Sequence, residues 1–225
     1  MQIFAINGSP RKKWNTATLL ENALEGAKKH AKDAQTEIIH LYNLDRFTGC
    51  RSCFQCKRIG SSTYGKCPVR DGLKPVLEKV LYADALLFGS PIYFSDMTGM
   101  IRCFLERLLF PCFTYDQGYT SLAPKKIPTA FVYTMNVTEK LMAEYHYPER
   151  LAPMENFVGH IFGYQAKVLF VNDTFQFPDY GKYKSDAFSA EEKALRRKEH
   201  FPLDCERARE LGKSLAEMVS AGAGD

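Results

Sequence analysis

The apolar residues of this chain come in blocks that alternate between strand-like and helix-like spacing, and this alternation restricts the fold more than any other feature. Strands that alternate with helices pair in parallel, because each connecting helix carries the chain back across the sheet. Gln2 to Ile6 reads as a short apolar strand. Thr16 to His30 follows as a helix with Leu19, Leu20, Ala23, Leu24 and Ala27 on one stripe, and Asn15 is placed to cap it. Thr36 to Tyr42 is the second strand. Leu73, Val76, Leu77, Val80 and Leu81 mark the second helix, with Asp71 as its expected cap. Ala83 to Ser90, apolar on both faces, is the expected central strand. Met100, Ile101, Phe104, Leu105 and Leu108 line the helix after it. Ile127 to Thr134 and Ala166 to Val171 supply two more strands, separated by a helical stretch that Gly163 ends. A last helix, entered through Pro202, carries Ala208, Leu211, Leu215 and Met218, and the tail AGAGD is expected to fray. The order is βαβαβαβαβα: a parallel α/β sheet with helices on both faces.

A chain of 225 residues, 45% hydrophobic and 25% charged, suits one globular domain, read here as 1–225. Two stretches interrupt the regular pattern. One is a cysteine loop at 49–68; the other, at about 174–188, reads FQFPDYGKYKSDAFS and has no period. The second is either an ordered excursion over an apolar surface or part of a subunit interface. No apolar run approaches the roughly 20 residues of a membrane span. Met1 leads directly into a strand without a basic-then-apolar leader, so a cytoplasmic location with no membrane partner is expected. The net charge of +4 is scattered, which argues against nucleic acid as a partner.

In such a sheet, ligands bind beyond the carboxyl ends of the strands, so the loops after the first, third and fourth strands carry the most weight. The first, Asn7 to Thr16, combines glycine, hydroxyls and cations at a helix N-terminus. There, backbone N–H groups together with Ser9, Asn15, Thr16 and Thr18 can satisfy a phosphate. The alternative is a plain βα turn with capping side chains. The second, Ser90 to Gly99, places Tyr93 and Phe94 among small polar groups, a mixture that suits a flat aromatic ring, although such aromatics are more often core or interface residues. The third, Thr134 to Thr138, offers Met135 and Asn136 as contacts; capping of a helix by Thr138 explains it equally well. The five histidines show no ligand spacing and no nucleophile elbow is present, which disfavours hydrolysis. No catalytic acid or base is assigned.

NGSPRxxxNTxxLL after the first strand and GSPIYFxxxxGxxxxFLERL after the third resemble the NADPH-dependent FMN reductase family. The resemblance implies a flavodoxin-like sandwich with five parallel strands in the order 2-1-3-4-5. It also implies noncovalent FMN, and a homodimer or homotetramer that completes the flavin site across an interface. Carried over by motif position, Ser9, Arg11, Asn15 and Thr16 would hold the FMN phosphate, while Pro91, Ile92, Tyr93 and Phe94 would line the isoalloxazine. NAD(P)H would stack on the flavin as a transient donor and leave before the acceptor enters. Bulky Trp14 before Asn-Thr and the aromatic stretch after the last strand depart from the family pattern.

Four of the seven cysteines lie between residues 50 and 67, which calls for a metal or redox explanation. Cys50-x2-Cys53-x2-Cys56 followed by Cys67 is similar to the motif of iron-sulfur flavoproteins, with a longer gap before the last cysteine. Four thiolates can ligate a 4Fe-4S cluster or a tetrahedral zinc, or the thiols can stay unligated. Lys57, Arg58, Lys66 and Arg70 would offset the charge of a cluster. Cys103 and Cys112 read as packing residues. The chain is thus expected to be an FMN-dependent enzyme oxidising NAD(P)H for an unidentified acceptor: a flavin, a quinone, a nitroaromatic or a protein. The alternative is an iron-sulfur flavoprotein acting as an electron carrier or redox sensor with a protein partner.

Overall fold

A computed structural model describes residues 1–222. Its strands are β1 (Gln2–Asn7), β2 (Gln35–His40), β3 (Ala85–Tyr93), β4 (Asp96–Met97), β5 (Thr129–Thr134) and β6 (Lys167–Val171). Its helices are α1 (Asn15–His30), α2 (Lys74–Val80), α3 (Gly99–Cys112), α4 (Glu139–Glu144), α5 (Tyr147–Phe162), α6 (Ala190–Glu199) and α7 (Phe201–Gly222). Five strands pair in parallel in the order β2-β1-β3-β5-β6, which is the expected 2-1-3-4-5 sheet. The sixth, β4, pairs antiparallel with the end of β3.

Alternation along the strands separates two unlike faces. Ala5, Ala85, Leu87, Ala130 and Val132 face α1 and α7, where small side chains let the helices approach. On the other face Phe88, Phe131, Tyr133 and Phe170 form an aromatic row, with neighbouring centroids 5.0–5.5 Å apart, under α2, α3 and α5. The expected α1 stripe is buried. Gly163 ends α5 in the left-handed conformation with φ of +75°, as expected of a helix-terminating glycine.

Several local expectations are corrected. Asn15 does not cap α1: the cap position belongs to Trp14, which makes no side-chain capping bond. Asp71 lies two residues before the cap position of α2, where its carboxylate accepts from Leu73 N–H at 3.1 Å as well as from Arg107. The helical stretch between β5 and β6 is two helices, because His146 adopts a left-handed φ of +55° between them. The final helix is preceded by a separate α6, whose Ser189 hydroxyl accepts from Glu192 N–H. Of the tail AGAGD, residues 223–225 lie outside the described residues. No described helix is long and apolar enough to cross a membrane.

Candidate functional site

The strand order reverses between β1 and β3, and the loop after β1 lies at this switch point. Gly8 N–H donates to Gly89 O at 2.8 Å and Gly8 O accepts from the Thr98 hydroxyl at 2.8 Å, so the loop is tied to both neighbours. Behind it, buried Asn7 accepts from Ser9 N–H at 3.0 Å, and its amide nitrogen meets His40 Nδ1 at 2.8 Å. Burial, then the charge of Lys12, pushes the His40 imidazole down, which suits its neutral, accepting form. The loop thus delivers the chain to α1 with the orphan N–H groups of the first turn uncapped and no acidic residue among them.

These groups open onto a cleft of about 90 Å³, lined by loops that follow four strands. Ser9, Arg11, Asn15 and Thr16 come from the first loop, Pro91, Ile92 and Tyr93 from the second, and Met135 and Asn136 from the third. The sequence-based set therefore converges, with two exceptions. Thr18 lies within α1 and is not part of the lining. Phe94 is fully exposed, because β3 and β4 form a hairpin whose two turn residues, Phe94 and Ser95, have φ of +51° and +67° and swing the ring into solvent. The loop expected at 90–99 is in large part this hairpin. Thr16 faces inward, but its hydroxyl bonds that of Thr134 at 2.7 Å. Thr138 does cap α4, accepting from Leu141 N–H at 3.3 Å.

Sequence reasoning missed the fourth wall. Residues 174–188 form an ordered strap whose Thr174, Phe175 and Gln176 line the cleft. Phe175 O accepts from Trp14 Nε1 at 3.2 Å and from Asn15 Nδ2 at 2.9 Å, and Gln176 O accepts from Arg11 at 2.6 Å. The departure at Trp14 and the aromatic density of the stretch were the available signals, but neither specified a partner.

The lining contains no carboxylate, so an anion entering the cleft meets N–H groups, hydroxyls and a cation. Asn136 Oδ1 is buried without a hydrogen-bond partner, an acceptor that a ligand hydroxyl or N–H would satisfy. The volume is well below the ~300–1,000 Å³ of sites that enclose a drug-sized ligand and matches the phosphate-bearing tail of FMN rather than its ring system. On these grounds the residues fit FMN. A larger groove of about 380 Å³ between α3 and α5 is mainly apolar, and its carboxylate, Glu106, already accepts from Cys50 N–H; it offers nothing to a phosphate.

Cys50, Cys53, Cys56 and Cys67 line one small cavity of about 20 Å³ against α3. Cys50 and Cys53 are exposed, Cys56 is buried and Cys67 lies between. Arg107, itself buried, donates through Nε to Cys67 Sγ at 3.3 Å and through its other nitrogens to Thr48 O, Val69 O and Asp71. Lys57 donates to the Phe110, Pro111 and Phe113 carbonyls at the end of α3, near enough to Cys56 and Cys112 for its charge to act on both thiols. Burial raises the Cys56 thiol and pushes Cys112 up to about 11, as suits packed thiols. Among the described residues no three His, Cys, Asp or Glu side chains are arranged to hold one metal ion. The cysteines are gathered at one place but not drawn into a ligand set.

A five-stranded parallel sheet in the order 2-1-3-4-5 with helices on both faces is a flavodoxin-like α/β scaffold. The model of the NADPH-dependent FMN reductase family matches residues 1–149, and the chain belongs to that family. A stretch of 109 residues is 39% identical to an iron-sulfur flavoprotein of Archaeoglobus fulgidus, covering 48% of each chain. Another of 107 residues is 32% identical to an iron-sulfur flavoprotein of Methanocaldococcus jannaschii, covering 48% of this chain and 51% of that one. The matched segment thus spans about half the length of these curated relatives. Among solved structures, an NAD(P)H:quinone oxidoreductase from Methanothermobacter marburgensis superposes with a TM-score of 0.69 at 16% identity, over 96% of this chain and 98% of that one. An FMN-dependent NADH-azoreductase from Bacillus anthracis, solved in complex with FMN, gives 0.65 at 13%, over 96% and 100%. At these identities the two structures show the shared fold.

Proposed function

We propose that this chain binds FMN in the four-walled cleft and passes electrons from NAD(P)H through it to an acceptor. The observation that carries this reading is the opening of the uncapped α1 N-terminus onto a cleft that Asn136, with its unpartnered Oδ1, also lines. Bound FMN supplies hydride acceptance and electron release. The chain's own residues bind and orient. The first-turn N–H groups of α1, the Ser9 hydroxyl and the Arg11 guanidinium meet the phosphate, Asn136 accepts from a hydroxyl or ring N–H, and Pro91, Ile92 and Tyr93 wall the ring side. Exposed Tyr93 and Phe94 at the rim support assembly as a homodimer or homotetramer, which sedimentation analysis tests.

Titration with FMN and riboflavin, followed by anaerobic addition of NADH or NADPH, tests the reading. FMN is expected to bind more tightly than riboflavin and to bleach on addition of the nucleotide. Equal affinities for the two flavins would remove the phosphate assignment. Reduction only by a ferredoxin-like protein would favour the electron-carrier alternative.

A second reading rests on the four cysteines around one cavity, and the relatives named iron-sulfur flavoproteins support it. We propose that Cys50, Cys53, Cys56 and Cys67 take up a 4Fe-4S cluster once the exposed side chains turn inward. Anaerobic reconstitution is expected to load iron in the parent and not in Cys56→Ser. Iron binding that is absent, or unchanged in that variant, would overturn it; zinc in its place would favour a structural staple.

A further inference from the structure

The strap at 174–188 and helix α6 both lie beyond residue 149, where the match to the family ends, yet both reach into the phosphate loop. The strap is braced at both ends. Thr174 N–H and hydroxyl both donate to Met135 O, at 3.0 and 3.1 Å, and Asp173 N–H donates to Val137 O at 2.9 Å. Further along, buried Tyr180 accepts through its hydroxyl from Gln176 N–H at 3.0 Å, and Phe177 stacks on Tyr183 with centroids 4.2 Å apart. From α6, Arg197 donates to Asn15 Oδ1 at 2.7 Å and packs 3.9 Å from the centre of the Phe201 ring.

What this brace presents to the cleft has one sign. The carbonyls of Phe175 and Gln176 point at the phosphate loop, and each is held there by side-chain donors of that loop. Behind them the Trp14 and Phe175 rings lie 6.5 Å apart, with the Arg11 guanidinium 5.3 Å from the centre of the Trp14 ring. A single terminal phosphate can use the N–H groups of α1. A second phosphate linked to it meets an aromatic wall and two carbonyl oxygens that already engage Trp14 Nε1, Asn15 Nδ2 and Arg11, so its charge is desolvated with few free donors.

We propose that Trp14, Phe175 and Gln176 close the phosphate end of the cleft, and that this closure makes the site select a flavin mononucleotide and reject a flavin dinucleotide. The proposal rests on the reading that the cleft binds a flavin phosphate; it adds which residues set the size and charge limit beyond that phosphate. Trp14 and Phe175 act by exclusion, and the Gln176 carbonyl engages one nitrogen of Arg11, so the guanidinium that meets the first phosphate has less to offer a second.

The test is calorimetric titration of the whole chain with FMN, FAD and riboflavin, in the parent and in a Trp14→Ala, Phe175→Ala double variant. Both side chains are only half-buried, so the variant is expected to fold, and far-UV circular dichroism checks it. The parent is expected to favour FMN over FAD by about a hundredfold or more, and the variant to lose at least about tenfold of that preference, mainly by gaining affinity for FAD. Because Trp14 is the single tryptophan, quenching of its emission on addition of FMN gives a second readout in the parent, which stands if the variant does not fold. A parent that binds FMN and FAD alike overturns the inference and leaves the flavin site standing. A preference that survives in the folded variant overturns the assignment to the strap. A parent that binds riboflavin as tightly as FMN, or binds no flavin at all, overturns the phosphate-site reading and this inference with it.

Discussion

Arg107 in α3 and Asp71 at the end of the cysteine loop form a two-toothed ion pair, with nitrogen–oxygen distances of 2.5 and 3.0 Å, inside the protein. The same guanidinium donates to Thr48 O, Val69 O and Cys67 Sγ, so one side chain pins both ends of the loop to one helix. The two ends of the 49–68 loop are therefore held to α3 by protein contacts.

Arg107→Met leaves the Asp71 carboxylate without its cation and two carbonyls without their donor, and a loss of about 3–5 kcal/mol is expected in urea denaturation at pH 7. Burial works to raise the Asp71 carboxyl, but the hydrogen bond and charge of Arg107, with the N–H groups of Leu73 and Lys74, outweigh it and hold the group below the usual carboxylate range. A depressed folded value gives stability that is present above about pH 4 and lost as pH falls through that folded value. The gap between parent and variant should therefore narrow in acid. A gap constant from pH 7 down to the acid transition would count against this assignment.

Glu155 on α5 is buried under β5, its carboxyl group facing the buried Tyr133 hydroxyl. Burial pushes the Glu155 carboxyl up. The folded state then holds its proton more tightly than the unfolded state, so stability falls as pH rises from the ordinary carboxylate range through the folded value. Glu155→Gln removes this loss. Its melting temperature relative to the parent should be higher at pH 8 than at pH 5, and the reverse order would refute the argument.

Asn136 opposes binding and stability at one atom. An orphaned buried acceptor costs about 1–3 kcal/mol in the empty protein, and a ligand donor relieves that cost. Asn136→Ala is expected to leave the flavin-free protein no less stable while weakening FMN by roughly tenfold, read by thermal melts and flavin titration. A variant that is less stable when empty and binds FMN normally would show a purely structural role.

Helices α1 and α7 touch backbone to backbone. A Cβ at Gly212 would lie 1.7 Å from Ala23 O, and one at Gly26 would lie 2.0 Å from Arg209 O. Neither obstacle is a flexible side chain, so Gly212→Ala must push the helices apart and is expected to cost at least about 1–3 kcal/mol in denaturant melts. A variant as stable as the parent would mean that the helices separate freely.

The sequence by itself determined the strands of the sheet and three walls of the cleft, while the strand order came from the family resemblance of its motifs. Strand and helix periods are local, and a strand-loop-helix passage with glycine and hydroxyls carries its phosphate chemistry within ten residues. The grouping of Cys50, Cys53, Cys56 and Cys67 was equally legible, because their spacing is short. Tertiary structure alone decided the remaining features. Asn15, read as a cap, finds its partners 160 and 182 residues away at Phe175 and Arg197, on a strap without period and a helix the stripe analysis did not register. Phe94, read as a wall, points outward because a two-residue hairpin turn sets its direction. Arg107, which no sequence signal singled out, is the buried anchor of the cysteine loop, since the carbonyls it satisfies come from chain that has no pattern to read. Local periodicity encodes which face of an element is buried; it carries no information about which irregular segment folds back to satisfy a side chain there.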